Sequence, residues 1–344
     1  MSWFTNEGKL PKHVIFSKAG YVRNIFGLPF TKRLGEKSTA SLYKKIDSIL
    51  TQNGFRKETL PEGDSLHALS LAEKGFIDRD LLSATGQRAV YFNEPCSLSV
   101  AIGGKDIISI RSLLSGLAIS DTRNIASGAE ELLDRELEFA YYDHLGYVSA
   151  TPSLCGSGAV FSSLLYLPTL RSCGEIDSVR RFCAESGARL EPAFTYPDNC
   201  GDLYTLSYSP SYLCDEGEAA EGFSSLIESI VDRESALERM IFSDSGKIIV
   251  DKAWRAYGEM LYARRLSEYD MLSLLSRIRF ALCASNADAQ LPPISVTDMN
   301  FLLGEGLNAS CALSRQNCTS EEECQEARAE IVSKLLCSTS GNQI

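Results

Sequence analysis

The chain has few of the residues from which common metal and redox sites are built. Only three histidines occur among its 344 residues, and its eleven cysteines form no Cys-x-x-Cys pair. Because the usual zinc-binding spacings are absent, we predict no metal site. The scattered cysteines instead indicate reduced thiols, many of them filling the core, and hence a cytoplasmic protein.

Long apolar runs and basic clusters are also missing. No run of about 18 apolar residues occurs, and the N-terminus lacks the apolar core of a signal peptide, so we expect no membrane partner. The net charge is −11 with no basic cluster, which argues against a nucleic-acid partner. With 44% hydrophobic and 23% charged residues, the chain has the composition of a globular protein, and its length indicates about two domains.

Hydrophobic periodicity predicts an α+β fold followed by helices. Helices are predicted at 36–54, 120–144 and 176–185, and strands at 88–92, 97–102, 107–110, 189–196 and 203–207. The second and third strands flank Gly103 and Gly104, a hairpin signal. Beyond residue 223 the pattern is helical, with a polar break at Gly246. We therefore predict an α+β domain at 1–245 and a helical domain at 246–344.

The stretch 145–168 has the features of a ligand-binding junction. A β-branched run at 147–151 leads through Pro152 into a turn with Gly156 and Gly158, and an apolar segment follows at 160–167. The backbone of a small-residue turn can approach a ligand closely. We interpret the stretch as a strand–turn–helix junction, either structural only or able to hold an anion on its amides.

This stretch resembles the ATP:guanido phosphotransferases, most of all the bacterial protein-arginine kinases. The resemblance is carried by colinear matches over nearly the whole chain: Arg23-Asn24, Asn93-Glu94, Gly146-Tyr147, Thr151-Pro152-Ser153, Gly156-Ser157-Gly158, Leu167-Pro168, Gly201-Asp202-Leu203-Tyr204 and Arg277-Ile278-Arg279. It implies a guanido-kinase-like antiparallel sheet flanked by helices, a helical C-terminal domain, and a homodimer formed through the C-terminal helices.

The resemblance also implies which positions correspond to the family's site. Transfer of a phosphoryl group from ATP to a guanidinium nitrogen needs arginines that clamp the phosphates and carboxylates that hold the guanidinium. The catalytic positions fall on Lys105, Asp106, Thr151 and Tyr196. The ATP-binding positions fall on Ser17, Lys18, Gly20, Ser109, Gly156, Ser157, Gly158, Val160 and Glu191.

Most of these positions have lost the family's chemistry. The reactive glutamate is replaced by Lys105, whose charge would repel a guanidinium. The second clamp glutamate is replaced by Tyr196, while Asp106 matches a family carboxylate or is an exposed hairpin acid. The family's arginine positions fall on Lys18, Gly20, Ser109, Val160 and Glu191, of which only Lys18 is still a cation. Acids stand in the family's phosphoarginine-binding segment, at 323–328.

Three interpretations remain open. The first is a pseudokinase, a binding or regulatory protein that partners a protein-quality-control factor or another chain of the family. The second is a divergent kinase that phosphorylates protein arginines or a small guanidino compound, with Asp198 or Glu191 replacing a lost carboxylate; ATP and magnesium would be needed only here. The third is an unrelated α+β protein. For Lys18 and Arg23, a solvated basic segment is the alternative to a phosphate site.

Overall fold

A computed structural model describes residues 3–60, 65–196, 198–211, 213–284, 290–314, 318 and 320–340. Its centre is an antiparallel sheet of eight strands in the order β2-β3-β4-β5-β1-β8-β10-β9, and β6 and β7 form a separate pair. The strands are β1 (Val14–Arg23), β2 (Arg56–Leu60), β3 (Arg88–Phe92), β4 (Leu98–Ile102), β5 (Ile108–Ser115), β6 (Tyr141–Tyr142), β7 (Gly146–Tyr147), β8 (Ala159–Tyr166), β9 (Arg189–Pro192) and β10 (Leu203–Tyr208).

Helices cover the sheet on both faces. They are α1 (Glu36–Gln52), α2 (Leu66–Glu73), α3 (Ile119–Asp134), α4 (Pro168–Ser172), α5 (Ile176–Glu185), α6 (Glu216–Tyr262), α7 (Glu268–Ala284), α8 (Val296–Glu305), α9 (Asn308–Ser314) and α10 (Glu321–Ser340). One face packs on α1, α3, α5 and the first half of α6. The other face packs at one end on α2, α7, α8 and α10. The fold implied by the resemblance is therefore confirmed.

The strand register also places polar side chains on this second face, on the strands in the middle of the sheet. Residues directly opposite each other in neighbouring strands share a face. Gly20 of β1 lies opposite Arg111 of β5 and Val160 of β8, and Lys18 lies opposite Ser162. Cationic and hydroxyl side chains thus stand on the middle strands of the sheet, where a site can form.

Several predictions need correction. The segment at 160–167 is strand β8, so the strand–turn–helix interpretation is wrong, and the run at 147–151 is strand only at its first residue. The helix predicted at 120–144 ends at Asp134. Helix α6 continues through Gly246, so the helix break there is wrong, whereas the domain division at 245/246 stays a prediction. The hairpin of β4 and β5 is confirmed.

Candidate functional site

A cleft of about 330 Å³ opens beside the turn that joins β4 to β5. Four of the sequence-predicted site residues line it: Lys105, Asp106, Ser109 and Thr151. The facing wall is the segment 78–81, which follows α2 and the loop after it. The structure therefore brings together the residues of the hairpin and of the loop at 151.

Asp106 is buried, with 7% of its surface exposed, so the alternative of an exposed hairpin acid is wrong. One carboxylate oxygen accepts hydrogen bonds from Asn24 Nδ2 at 2.6 Å and Ala150 N at 2.7 Å. The other oxygen accepts one from Ser149 Oγ at 2.9 Å. This carboxylate ties the hairpin to the end of β1 and to the loop at 148–151, and these three donors already use much of its hydrogen-bonding capacity.

Lys105 is exposed at the cleft. Its backbone N–H donates to Asp80 Oδ2 at 3.1 Å, which fixes the turn against the segment 78–81. The side chain brings a positive charge to the position that the resemblance assigns to the reactive glutamate. A second cation there disfavours binding of a guanidinium, and a protonated lysine cannot accept a proton from it.

Arg111 is a site residue that the sequence interpretation missed. It stands two positions after Ser109 on β5, so both side chains lie on the same face of the sheet. Its guanidinium forms an ion pair with Asp78, a residue of the cleft wall. The alternation of side chains along β5 would have identified Arg111 as a neighbour of Ser109, the position to which the resemblance assigns an arginine.

Gly20 leaves no room for the arginine that the family carries there. A Cβ at Gly20 would lie 2.7 Å from the backbone oxygen of Ile110 and 3.3 Å from Arg111 Cγ. Because a backbone oxygen cannot move aside as a side chain can, the two strands are too close for any side chain at this position. Arg111 thus occupies the space beside Gly20.

Lys18 lies next to Arg111 on this face, and its environment changes its pKa. Burial, together with the charge of Arg111, lowers the pKa of Lys18 to about 7. The neighbouring Ser162 Oγ is buried and has no hydrogen-bond partner among the described residues. Lys18 is only partly exposed on the sheet face, so a fully solvated side chain does not describe it.

The turn at 156–158 is held from within the protein. Arg23, buried to 99%, donates from Nη1 to the backbone oxygens of Ser157 at 3.0 Å and Val22 at 2.8 Å, and from Nε to Glu130 at 2.9 Å. Gly158 has φ +63°, and its Cα approaches this guanidinium so closely that a Cβ would overlap it. Neither glycine of the turn lines the cleft, so the structure supports a structural junction, and Arg23 too is not a solvated residue.

The remaining predicted positions lie away from the cleft. Ser17 faces the opposite side of the sheet, where its hydroxyl donates to Gly116 O at 2.8 Å. Glu191 is exposed on edge strand β9. Tyr196 donates to Glu268 of α7 at 3.0 Å, and burial with that acid raises its pKa to about 12. Val160 shares the face of Lys18 but does not line the cleft.

Within the described ranges, every helix is too short or too polar to serve as a transmembrane span.

Comparison with known proteins identifies relatives of the chain. Residues 38–237 match the family described as ATP:guanido phosphotransferase, C-terminal catalytic domain. The protein-arginine kinase of Pelotomaculum thermopropionicum is 24% identical over 288 residues, covering 81% of this chain and 81% of that protein. The protein-arginine kinase of Clostridium novyi is 23% identical over 344 residues, covering 97% and 98%.

Solved structures of guanidino kinases share the fold. The substrate-free duplicated taurocyamine kinase from Schistosoma mansoni has a TM-score of 0.55 at 18% identity, covering 68% of this chain and 33% of that chain. This chain thus matches only about a third of the duplicated enzyme. Lombricine kinase has a TM-score of 0.54 at 18% identity, covering 68% and 69%. At this identity the likeness concerns the fold alone.

Proposed function

This chain belongs to the ATP:guanido phosphotransferase family, and we propose that it is a protein-arginine-kinase-like member that has lost phosphotransfer. Its role is then that of a binding or regulatory protein. The proposal rests on two residues of the hairpin that line the cleft, namely on the charge of Lys105 and the hydrogen bonds of Asp106. Lys105 brings a cation where the substrate guanidinium would sit, and the Asp106 carboxylate is already engaged by three donors.

The positions that the resemblance assigns to phosphate-clamping arginines support the same proposal. Gly20, Ser109 and Val160 carry no charge where the resemblance places phosphate-clamping arginines. Arg111 is close by, but Asp78 neutralises it. Loss of an arginine that stabilises the transferring phosphoryl group costs roughly 10³ to 10⁵ in rate, so the loss of several would leave no useful turnover.

A second candidate, a divergent active kinase, is favoured by one observation. Lys18 and Arg111 place two basic side chains next to each other on the face that carries the cleft, and Ser162 of β8 lies opposite Lys18. If Asp78 released Arg111, these groups would offer an anion site built from substitute residues. ATP with magnesium would then be the phosphoryl donor.

The cell compartment and the partner are further parts of the proposal. The cysteines of the described residues form no disulfide with one another, which suits a reducing compartment and supports a cytoplasmic location. The partner we propose is a protein of the quality-control machinery or another chain of the same family. Such a partner would bind the folded chain, and this binding would not require phosphoryl transfer.

Calorimetry of the full chain with ATP, with and without magnesium, tests the proposal. We expect no saturable heat and no ATP-dependent thermal shift, because the clamping arginines are absent from the cleft. The protein-arginine kinase of Pelotomaculum thermopropionicum serves as the positive control. Saturable, magnesium-dependent binding that is lost in Arg111→Ala would favour the second candidate.

A further inference from the structure

A buried cluster of potential metal ligands shares no residue with the lining of the cleft. His13 precedes β1, Glu238 lies in the middle of α6, and Cys283 is near the end of α7. One donor atom from each of the three lies within 4.8 Å of the others. Three separate segments of the fold therefore bring an imidazole, a carboxylate and a thiol to one point.

Two of these side chains are buried without enough partners. His13 is 5% exposed and Glu238 is 2% exposed. Among the described residues, His13 Nδ1 and Glu238 Oε1 have no hydrogen-bond partner. A buried polar atom without a partner costs about 1–3 kcal/mol, and more when it belongs to a charged group. Such atoms call for an explanation, and a bound ion beside the two side chains is one of the recognised explanations.

The spacing of the donors fits a small tetrahedral cation. Zinc bonds of about 2.0–2.3 Å to nitrogen, oxygen and sulfur place the ligand atoms roughly 3.3–3.7 Å apart. His13 Nε2 lies 3.3 Å from Glu238 Oε2. Ser235 Oγ also lies 3.2 Å from this nitrogen, and a hydroxyl can turn away when a metal binds. The sulfur of Cys283 would need to move by at most about 1 Å.

The charge of the site and the types of its ligand atoms both favour zinc. A neutral imidazole, a carboxylate and a thiolate together carry two negative charges, which one divalent cation neutralises in a buried place. A mixed set of nitrogen, oxygen and sulfur donors suits zinc better than magnesium or calcium, which prefer oxygen ligands alone. The sequence could not reveal this set, because its members are 225 and 45 residues apart in the chain.

We propose that His13, Glu238 and Cys283 form a zinc-binding site that joins the start of β1 to α6 and α7. The ion has three protein ligands, and its fourth position is open to water. Because a folded chain brings the three ligands together and an unfolded chain does not, the binding free energy of zinc adds to the stability of the fold. The site would fasten the C-terminal helices to the central sheet.

Metal analysis of the untagged full-length chain, followed by cobalt substitution, tests the site. We expect one zinc ion per chain after purification without chelators. After the zinc is removed, added Co²⁺ should give the thiolate-to-cobalt absorption of a cysteine ligand. Cys283→Ser should lose that absorption and the zinc, whereas Cys173→Ser, which changes an exposed cysteine, should keep both.

A histidine pair provides a second comparison. His13→Gln should lose the zinc, and His67→Gln, which changes a half-exposed histidine that contacts Glu58, should keep it. A chelator should lower the melting temperature of the wild type but not that of Cys283→Ser. Substoichiometric zinc together with no cobalt absorption in the wild type would overturn the proposal. The cluster would then be only a buried contact between His13 and Glu238. Zinc retained by Cys283→Ser would overturn it as well. The wild-type cobalt spectrum needs no variant to fold.

Discussion

At the scale of single residues, two polar residues that the resemblance matches to the family hold the fold together through their side chains. Asp106 matches a family carboxylate, yet it holds three segments together through hydrogen bonds. Arg23 likewise uses its guanidinium to fasten the turn at 156–158 and stacks 3.5 Å over the ring of Tyr147. Sequence comparison located such positions, but it could not show that their polar atoms were already occupied.

We predict that Asp106→Ala destabilises the fold by about 2–4 kcal/mol, because three buried donors lose their acceptor. Chemical denaturation monitored by circular dichroism measures this change. Asp106→Asn should cost less, since its side-chain oxygen still accepts. Glu191→Ala is the control, and we expect a change within about 0.5 kcal/mol at that exposed position. A cost for Asp106→Ala as small as that of the control would contradict the structural role.

Lys18 makes stability depend on pH in a defined direction. Its pKa in the folded protein is about 7, below the value of 10.5 for an ordinary lysine. Between these values the unfolded chain binds more protons than the folded chain, so the contribution of Lys18 to stability rises with pH across this window. Below pH 7 both states are protonated and the cost of the buried ammonium is fully present.

Lys18→Met should therefore stabilise the protein near pH 7, and its advantage over the wild type should shrink by about 3–4 kcal/mol as the pH rises from 7 to 10. Denaturant titrations of both proteins at several pH values measure the difference. Lys37→Met, at an exposed position of α1, is the matched control. Its free energy of unfolding should change with pH in the same way as that of the wild type. A constant difference between Lys18→Met and the wild type would rule out this account of Lys18.

At the scale of elements, the sequence predicted a hairpin with its own turn signal better than a strand that lacks alternation. The β4–β5 hairpin carries its own signal in Gly103 and Gly104, and it was predicted correctly. Strand β8 lies between β1 and β10 and is largely buried on both faces, so its sequence is mostly apolar and does not alternate between apolar and polar residues. A run of that kind cannot be told from a buried helix by periodicity alone.

The break predicted at Gly246 failed for a related reason. A polar stretch with glycine indicates a loop, but α6 is held as one helix of 47 residues by its packing on the sheet and on α7. We expect Gly246→Pro to destabilise the protein by about 3 kcal/mol or more, because proline removes a helical hydrogen bond and clashes with the preceding turn. Thermal denaturation followed by circular dichroism measures the loss.

Gly246→Ala is the matched control for the proline variant. Its Cβ would meet only the side-chain ring of Phe242, at 3.1 Å, and alanine favours a helix over glycine by about 1 kcal/mol. We therefore expect little change or a small gain in stability. Equal tolerance of proline and alanine would mean that the chain bends at this position after all.

At the scale of the whole molecule, the fold followed from the resemblance, whereas the contacts of the site did not. The Arg111–Asp78 ion pair joins two parts of the chain that only the tertiary structure brings together. The same holds for Asp106 with Asn24 and Ser149, and for the proposed zinc ligands. Sequence spacing reports local structure, and these sites are made of contacts between distant segments.

The homodimer through the C-terminal helices stays a prediction. Met240, Ile248 and Tyr262 of α6 are 66%, 58% and 68% exposed, and a second copy could cover them. We expect light scattering after size-exclusion chromatography to give twice the mass of the chain, and Ile248→Asp to give a single copy. Phe182→Asp, at an exposed position of α5, is the control that should remain a dimer. A wild-type chain that elutes as a single copy would contradict the prediction.

The most direct test of the proposed loss of activity is a transfer assay with γ-labelled ATP, magnesium and an arginine-rich protein. The protein-arginine kinase of Pelotomaculum thermopropionicum serves as the active reference. We predict no incorporation of label by this chain above a blank without protein. Clear incorporation that depends on the chain and is abolished by Arg111→Ala or altered by Lys105→Ala would contradict the account and make this protein a divergent kinase.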